Sequence, residues 1–274
     1  MPKIDYINKT RLIFPVFLGL GLILLISAPV FYIPEYLDAA FLKLTYPDSC
    51  EFKSYDLLLQ KYVKNGFVDY ERLKTDPLFS ASYSEFERTS PEKLKGTLER
   101  LCFWINCFNF LSLKAIADRY PLEQIGQEEA LRKFIVGGRL YSLNQIKAEL
   151  LPELIHSADW RAIFLLCNGS ISAPKLSSHA YRAATVGSEF EPALKSFVLS
   201  PANYAIDQKA RLFSISPFYM WNLRCFDQSF ASPFSMVNSF LPKEKQVNLE
   251  NFSRTYALPY HRHINDLKFC KNLN

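Results

Sequence analysis

The chain has 274 residues, of which 49% are hydrophobic, and it carries a formal net charge of +5. A chain of this length can bury a substantial core within one domain. Its basic residues are spread without a basic block, and they alternate with acidic residues through 85–100. This pattern argues against a nucleic-acid-binding protein, so nucleic acid is not predicted as a partner.

The N-terminal region contains the sharpest change in composition. Residues 12–33 (LIFPVFLGLGLILLISAPVFYI) form a run of 22 residues without a charge. As a helix this run is about 33 Å long, enough to cross a hydrocarbon core of about 30 Å. Basic residues precede the run, whereas Glu35 and Asp38 follow it. The positive-inside rule therefore predicts a single-pass anchor in the cell membrane, with a cytoplasmic N-terminus and an extracytoplasmic main domain, periplasmic in a bacterium.

A cleaved signal peptide is the competing interpretation of the same segment. Cleavage needs small residues, as at Ser27-Ala28, but the large Ile26 precedes this pair and Pro29 follows it. We therefore favour an uncleaved anchor. The predicted organisation is a cytoplasmic N-terminus at 1–11, the anchor at 12–33, a linker at 34–49, one domain at 50–268 and a tail at 269–274.

The first half of the domain is predicted to be mainly helical. Tyr55–Val63 has apolar residues at helical spacing, and Asn65-Gly66 is expected to cap its end in the left-handed conformation. An extended piece and a turn are expected at Phe67–Leu73. The longest predicted helix is Pro91–Tyr120, whose second half (LCFWINCFNFLSLKAI) is apolar almost all round and should occupy the centre of the domain.

The second half mixes strands with helices. Gly137-Gly138 between KFIV and RLYSL predicts a β-hairpin, and Ser142 or Asn144 is expected to cap a helix toward Leu151. The apolar run Ala162–Leu166 is a strand candidate. Further predicted elements are a helix capped by Ser188 and Glu191, a strand at Arg211–Ser216, helices at Pro217–Cys225 and from Pro233 to about Leu241, and an extended tail at YALPYHRHIND. The fold class is α+β, as a helix-rich single globular domain with short strands and a β-hairpin.

Six stretches in this order resemble the family known as domain of unknown function 547. They are YDLLLQKYVKNGFVDYERLK, LCFWINCFNFLSLKAI, FIVGGRLYSLNQI, DWRAIFLLCNGSISAPKL, LFSISPFYMWNLRCF and LPYHRHIND. The resemblance spans nearly all of residues 50–266. It implies no established activity.

The chain departs from the family pattern at its candidate polar positions. Ile163 stands where the family has a histidine, and Cys167-Asn168 inverts an Asn-Cys pair. Ala173 replaces a second cysteine, and Lys147 and Ala148 replace a glutamate and a histidine. The resemblance therefore implies that most of any family site is absent from this chain.

Cys167 is the one candidate for a nucleophile, and the sequence supports it only weakly. It needs a neighbouring base to become a thiolate at neutral pH, and His261 or His263 could supply one. With such a base the protein would be a cysteine-dependent hydrolase or transferase acting on an amide or ester bond. The alternative is that Cys167 fills the core.

The candidates for a binding site are four further polar residues: Asn106, Asn109, Asn168 and Tyr260. Asn106 and Asn109 lie on one face of the apolar helix, where an unpartnered buried amide costs roughly 1–3 kcal/mol. The amides of Asn106 and Asn109 are expected to hydrogen-bond loops, either the turn at Asn168 or the tail around Tyr260. The alternative is that they line a pocket.

The remaining histidine and cysteine patterns give no cofactor or metal site. The HxH of His261 and His263 has no third ligand nearby in sequence, so metal binding is not predicted. The six cysteines are irregularly spaced, and a Cys50–Cys270 disulfide is one option beside buried thiols. The predicted role is binding or scaffolding without catalysis. The predicted partners are the lipid bilayer, contacted through residues 12–33, and an unidentified protein or small molecule.

Overall fold

The structure is a computed structural model that describes residues 52–226 and 230–270. The predicted anchor at 12–33 and the Cys50–Cys270 pair lie outside the residues or side chains described. Within the described ranges, no helix is both long and apolar enough to cross a membrane.

The helices are named here in chain order. They are α1 Lys53–Tyr62, α2 Tyr70–Leu73, α3 Pro77–Arg88, α4 Thr97–Ala117, α5 Gln127–Leu131, α6 Leu143–Gln145, α7 Leu151–Ala158, α8 Phe190–Val198, α9 Pro217–Trp221, α10 Pro233–Phe240 and α11 Leu267–Cys270. A π-helix covers Ile146–Leu150, and 3-10 helices cover Pro91–Lys93, Trp160–Leu165, Val186–Ser188, Leu223–Cys225, Lys243–Lys245 and Leu249–Asn251.

Short strands complete the α+β architecture. They are β1 Val63–Lys64, β2 Phe67–Val68, β3 Lys133–Val136, β4 Arg139–Ser142, β5 Tyr204–Asp207, β6 Leu212–Ile215 and β7 Ser253–Thr255. The pairs β1/β2 and β3/β4 are antiparallel hairpins. In the third sheet β6 is central, antiparallel to β5 and parallel to β7.

Helix α4 is the core of the domain, as its apolar sequence predicts. Its residues are buried without a break from Leu101 to Leu113. Aromatic rings pack against it from α1 and α3, with Phe86 and Phe110 stacked at 5.1 Å between ring centroids. A helix surrounded on all sides in this way can present its few polar side chains only to other protein segments or to an internal cavity.

Two of the Gly-containing turns are hairpin turns. Gly137 and Gly138 have φ values of 56° and 78°, so the predicted two-residue hairpin is confirmed. Asn65 and Gly66 also have positive φ, 53° and 87°, but they join β1 to β2. The left-handed conformation predicted there was correct, whereas its assignment to a helix cap was wrong.

Several predicted boundaries need correction. Ala162–Leu166 is not a strand: Trp160–Leu165 forms a 3-10 helix, opened by the Asp159 carboxylate, which accepts the Arg161 N–H at 2.9 Å. The long helix begins at Thr97 rather than Pro91, since Pro91–Lys93 is a separate 3-10 turn.

The predicted Ser188–Glu191 capping box is also absent. Helix α8 begins at Phe190, and no side chain caps its first turn. The Glu191 carboxylate instead accepts a hydrogen bond from the Arg161 guanidinium at 3.1 Å. Glu191, which the local sequence pattern assigned to the helix cap, therefore pairs with an arginine from a neighbouring element.

The C-terminal segment around residue 264 forms backbone hydrogen bonds with three other parts of the chain. The Asn265 N–H donates to the Gly169 carbonyl at 2.8 Å, and the Val68 N–H donates to the Asn265 carbonyl at 2.8 Å. On its other side, the Ile125 N–H donates to the Arg262 carbonyl at 2.9 Å. These bonds bring Tyr260 and Arg262 beside the turn that follows Cys167.

Candidate binding site

Cys167 lies in the core at the end of the segment that follows the Trp160–Leu165 helix. Its side chain is only 2% exposed. The thiol sulfur accepts a weak hydrogen bond from the Gly169 N–H at 3.4 Å and lies 3.9 Å from Nδ2 of Asn265. Burial raises the pKa of the Cys167 thiol to about 11, so it stays protonated at neutral pH.

The histidines do not supply the missing base. His261 and His263 are exposed, and Nε2 of His263 lies 3.3 Å from the Gln124 amide. All four histidines of the chain fall within the described ranges, and none of them hydrogen-bonds the Cys167 thiol. The geometry that a Cys–His nucleophile requires is not present.

Asn109 holds the backbone on both sides of Leu166. Its Nδ2 donates to the Leu165 carbonyl at 2.9 Å, and its Oδ1 accepts the Cys167 N–H at 2.8 Å. Asn106, one turn earlier on α4, forms the same pair of bonds with the backbone of Tyr181, at 2.8 and 2.9 Å. Both amides therefore bind loops, and neither lines the cavity described below.

The turn after Cys167 depends on glycine. Gly169 has a φ of 83°, and a Cβ there would lie 2.3 Å from Cδ1 of Ile116. Only glycine combines this backbone conformation with so close an approach to α4. The turn directs the side chains of Asn168 and Ser170 toward Tyr260, whose hydroxyl accepts from Asn168 Nδ2 at 3.3 Å and from Ser170 Oγ at 2.9 Å.

Asn168, Ser170 and Tyr260 form part of the wall of a cavity of about 410 Å³. Its apolar wall comes from α4, α5, the loop before α5, α6 and α9, and consists of Phe108, Ile116, Ile125, Ala130, Leu143 and Trp221. The Trp221 and Tyr260 rings meet edge to face at 4.8 Å between centroids. An apolar wall with a few convergent polar groups is typical of small-molecule sites of this size.

Three charged side chains also line the cavity, and only one of them is neutralised. Glu129 forms an ion pair with Arg119, and its other oxygen accepts the Gly126 N–H at 2.6 Å. Lys147 and Arg262 have no carboxylate partner among the described residues. The exposed Arg262 therefore gives the cavity wall a positive charge that no described carboxylate pairs with.

Lys147 projects from the π-helix Ile146–Leu150, whose wider turn interrupts the regular helix between α6 and α7. Burial lowers the pKa of the Lys147 amine, while the nearby Cys225 thiol acts weakly in the other direction. Burial also raises the pKa of Cys225, so that thiol is uncharged at neutral pH and is no counter-ion. Lys147 is thus an amine in a cavity wall without an acidic partner.

Sequence patterns identified only part of this site. Asn168 and Tyr260 line the cavity, although their role in binding stays a prediction. Lys147 was noted only as a departure from a family pattern, and Arg262 and Trp221 were not singled out. Their convergence depends on the π-helix and on the hydrogen bonds of the C-terminal segment, neither of which has a local sequence pattern.

Other candidate sites receive no support from the geometry. No group of three or more His, Cys, Asp or Glu that could hold a metal ion occurs in the part of the chain that the structure describes. Ile163, which the sequence resemblance aligns with a histidine, is buried in the core and does not line the cavity.

Comparison with known proteins links part of the chain to one family. Residues 91–198 match the model of the family described as "Protein of unknown function, DUF547". Three of the six resembling stretches lie within this range and three lie outside it. No curated protein and no solved structure matches the chain. The family match supports the resemblance for residues 91–198 and assigns no activity.

Proposed function

We propose that the domain is a non-catalytic binding module that takes a small organic anion into the cavity between α4 and the C-terminal segment. The observation that supports this proposal is the Arg262 guanidinium in the cavity wall, which has no carboxylate partner among the described residues. An anion that enters the cavity can accept charge-assisted hydrogen bonds from this guanidinium.

The rest of the wall favours an anion with an apolar body. Phe108, Ile116 and Trp221 supply apolar and aromatic surface, and Asn168 and Tyr260 supply polar groups at one side. A carboxylate suits the planar Arg262 guanidinium, which can hold both of its oxygens. The volume of about 410 Å³ limits the ligand to a small molecule.

The cysteine-dependent hydrolase, the alternative from the sequence, lacks a supporting observation. Its nucleophile would need a neighbouring base and access to substrate. Cys167 is 2% exposed, hydrogen-bonds no histidine and does not line the cavity. The non-catalytic role is therefore the one we carry forward.

Calorimetric titration of the full-length protein in detergent tests anion binding. Benzoate and its uncharged analogue benzamide form a matched pair of probes. Benzoate is expected to bind with a Kd on the order of 1 mM, about 4 kcal/mol of binding free energy, and benzamide at least about tenfold more weakly. Arg262→Gln is expected to weaken benzoate binding by about tenfold, since it removes a charge-assisted hydrogen bond.

Arg254→Gln is the matched control. Arg254 is an exposed arginine on β7 that does not line the cavity. Its variant should bind benzoate like the wild type. Equal affinities for benzoate and benzamide, or equal losses in the two variants, would contradict the proposal.

We also propose that residues 12–33 anchor the module in the cell membrane, with the binding domain on the extracytoplasmic face. The support is the uncharged run of 22 residues and the distribution of charge around it. Carbonate extraction of membranes should leave the expressed protein in the pellet. Release into the supernatant would contradict an integral anchor.

A further inference from the structure

Lys147 differs from an ordinary surface lysine in three respects. It lies on a π-helix, a rare local structure that often occurs at functional sites. Its side chain is partly buried in the wall of a cavity large enough for a small molecule. It has no carboxylate partner among the described residues, unlike Lys61, whose amine pairs with Asp76 at 2.6 Å.

These conditions raise the neutral fraction of the Lys147 amine above that of an exposed lysine. Removing an ammonium group from water without a counter-ion destabilises the charged form, and burial lowers the pKa of Lys147 accordingly. The other charged groups in the wall are the paired Glu129 and the cationic Arg262, and neither is a counter-ion for the ammonium form of Lys147. A neutral lysine amine is a nucleophile toward carbonyl compounds.

We propose that Lys147 is a covalent attachment site that forms an imine with a carbonyl-bearing organic anion bound in the cavity. The inference rests on the proposed function, because the same cavity holds the anion. Arg262 would hold the carboxylate of the ligand, and Lys147 would meet its aldehyde or ketone carbon. The ligand class is therefore an oxo acid with an apolar body.

The step balances without an oxidant or reductant. The Lys147 nitrogen lone pair forms a bond to the carbonyl carbon, and the carbonyl π electrons move to oxygen. Nitrogen loses two protons to that oxygen, which leaves as water, and a carbon–nitrogen double bond remains. The reverse reaction with water releases the ligand, so the attachment is reversible.

Reductive trapping tests the proposal. The full-length protein is incubated with 4-carboxybenzaldehyde and sodium cyanoborohydride, which converts an imine into a stable secondary amine. Peptide mapping by mass spectrometry then locates the adduct. Lys147 is expected to be modified at least about tenfold faster than the exposed Lys209, and faster with 4-carboxybenzaldehyde than with benzaldehyde, which has no carboxylate for Arg262.

Two variants separate attachment from simple binding. Lys147→Arg keeps a long side chain in the wall but cannot form an imine, so it should lose the adduct at position 147 whatever its affinity for benzoate. Lys209→Arg is the matched control and should leave trapping at Lys147 unchanged. Trapping spread evenly over the exposed lysines, or unchanged total trapping in Lys147→Arg, would overturn the inference.

The two proposals fail in different ways. If benzoate binds in preference to benzamide but Lys147 is not trapped, imine formation is wrong and anion binding stands. If benzoate does not bind and Lys147 is not trapped, both proposals are wrong.

Discussion

The phenol of Tyr70 donates a 2.7 Å hydrogen bond to Oδ1 of Asn265, joining two residues that are 195 positions apart in the chain. Both side chains are buried, and Nδ2 of Asn265 also donates to the Gly66 carbonyl at 2.7 Å. Asn265 thereby joins the β1/β2 hairpin to the turn after Cys167. The C-terminal segment that supplies Arg262 to the cavity is held by this network.

Removing the Tyr70 hydroxyl should destabilise the domain. Tyr70→Phe leaves Oδ1 of Asn265 buried without its donor, and an unsatisfied buried acceptor costs about 1–3 kcal/mol. Denaturant unfolding of the full-length protein should show a lower free energy of unfolding by that amount.

Tyr219→Phe is the matched comparison. The Tyr219 hydroxyl is buried among aromatic rings and has no hydrogen-bond partner. Its removal relieves an unsatisfied polar group, so the free energy of unfolding should stay unchanged or rise by up to about 1 kcal/mol. Equal destabilisation by the two variants would contradict the assignment of the Tyr70 bond.

Asn109→Ala should lower the free energy of unfolding more than Ser112→Ala, another polar substitution on α4. Asn109→Ala leaves the Leu165 carbonyl and the Cys167 N–H without partners, for an expected loss of about 2–4 kcal/mol. Ser112→Ala, three residues away, removes only a bond to the Phe108 carbonyl within the same helix and should cost less than about 1 kcal/mol. Thermal or denaturant unfolding compares them directly, and a similar loss for both would show that the loop contact of Asn109 is unimportant.

The thiol of Cys167 should be unreactive in the folded protein. Its pKa of about 11 and its burial leave little thiolate at neutral pH and little access for a reagent. Iodoacetamide followed by peptide mapping should label Cys167 only after denaturation. Rapid labelling of Cys167 in the native protein at pH 7 would contradict this prediction and support the cysteine-nucleophile hypothesis.

Asp76 should make stability depend on pH at the acidic end. Hydrogen bonds from Lys61, then Tyr62, then the Leu78 N–H lower the pKa of its carboxyl to about 2. Because the folded pKa lies below the unfolded value, this contribution is complete above about pH 4 and is lost as the pH falls toward about 2. The difference in unfolding free energy between wild type and Asp76→Asn should therefore shrink over that range. A difference that stays constant with pH would contradict the lowered pKa.

Local patterns predicted those elements whose cause is local. Gly137-Gly138 can adopt the positive φ angles of a two-residue hairpin, and Ser232 before Pro233 supplies both an N-cap and a favourable first helical residue. The apolar run in α4 likewise predicted its central position. These outcomes follow from the residues themselves and needed no tertiary information.

The failures arise where distant residues decide the structure. Ala162–Leu166 has the composition of a strand, but no strand in the described part of the chain pairs with it, and Asn109 hydrogen-bonds its end. The cavity was missed for the same reason. Lys147 and Arg262 are 115 positions apart in the sequence, and only the pairing of the C-terminal segment with Ile125 and Gly169 brings both to one wall.

Occupation of the cavity by an organic anion is tested most directly through the tryptophan side chains. The chain has three, and Trp221 alone lines the cavity, whereas Trp104 is buried beside β4 and Trp160 lies against Phe164. With indole ¹⁵N labelling and Trp221→Phe for assignment, titration with benzoate should shift the Trp221 resonance saturably and leave the other two in place. A shift confined to Trp104 or Trp160, or no saturable shift of Trp221, would contradict anion binding at this site.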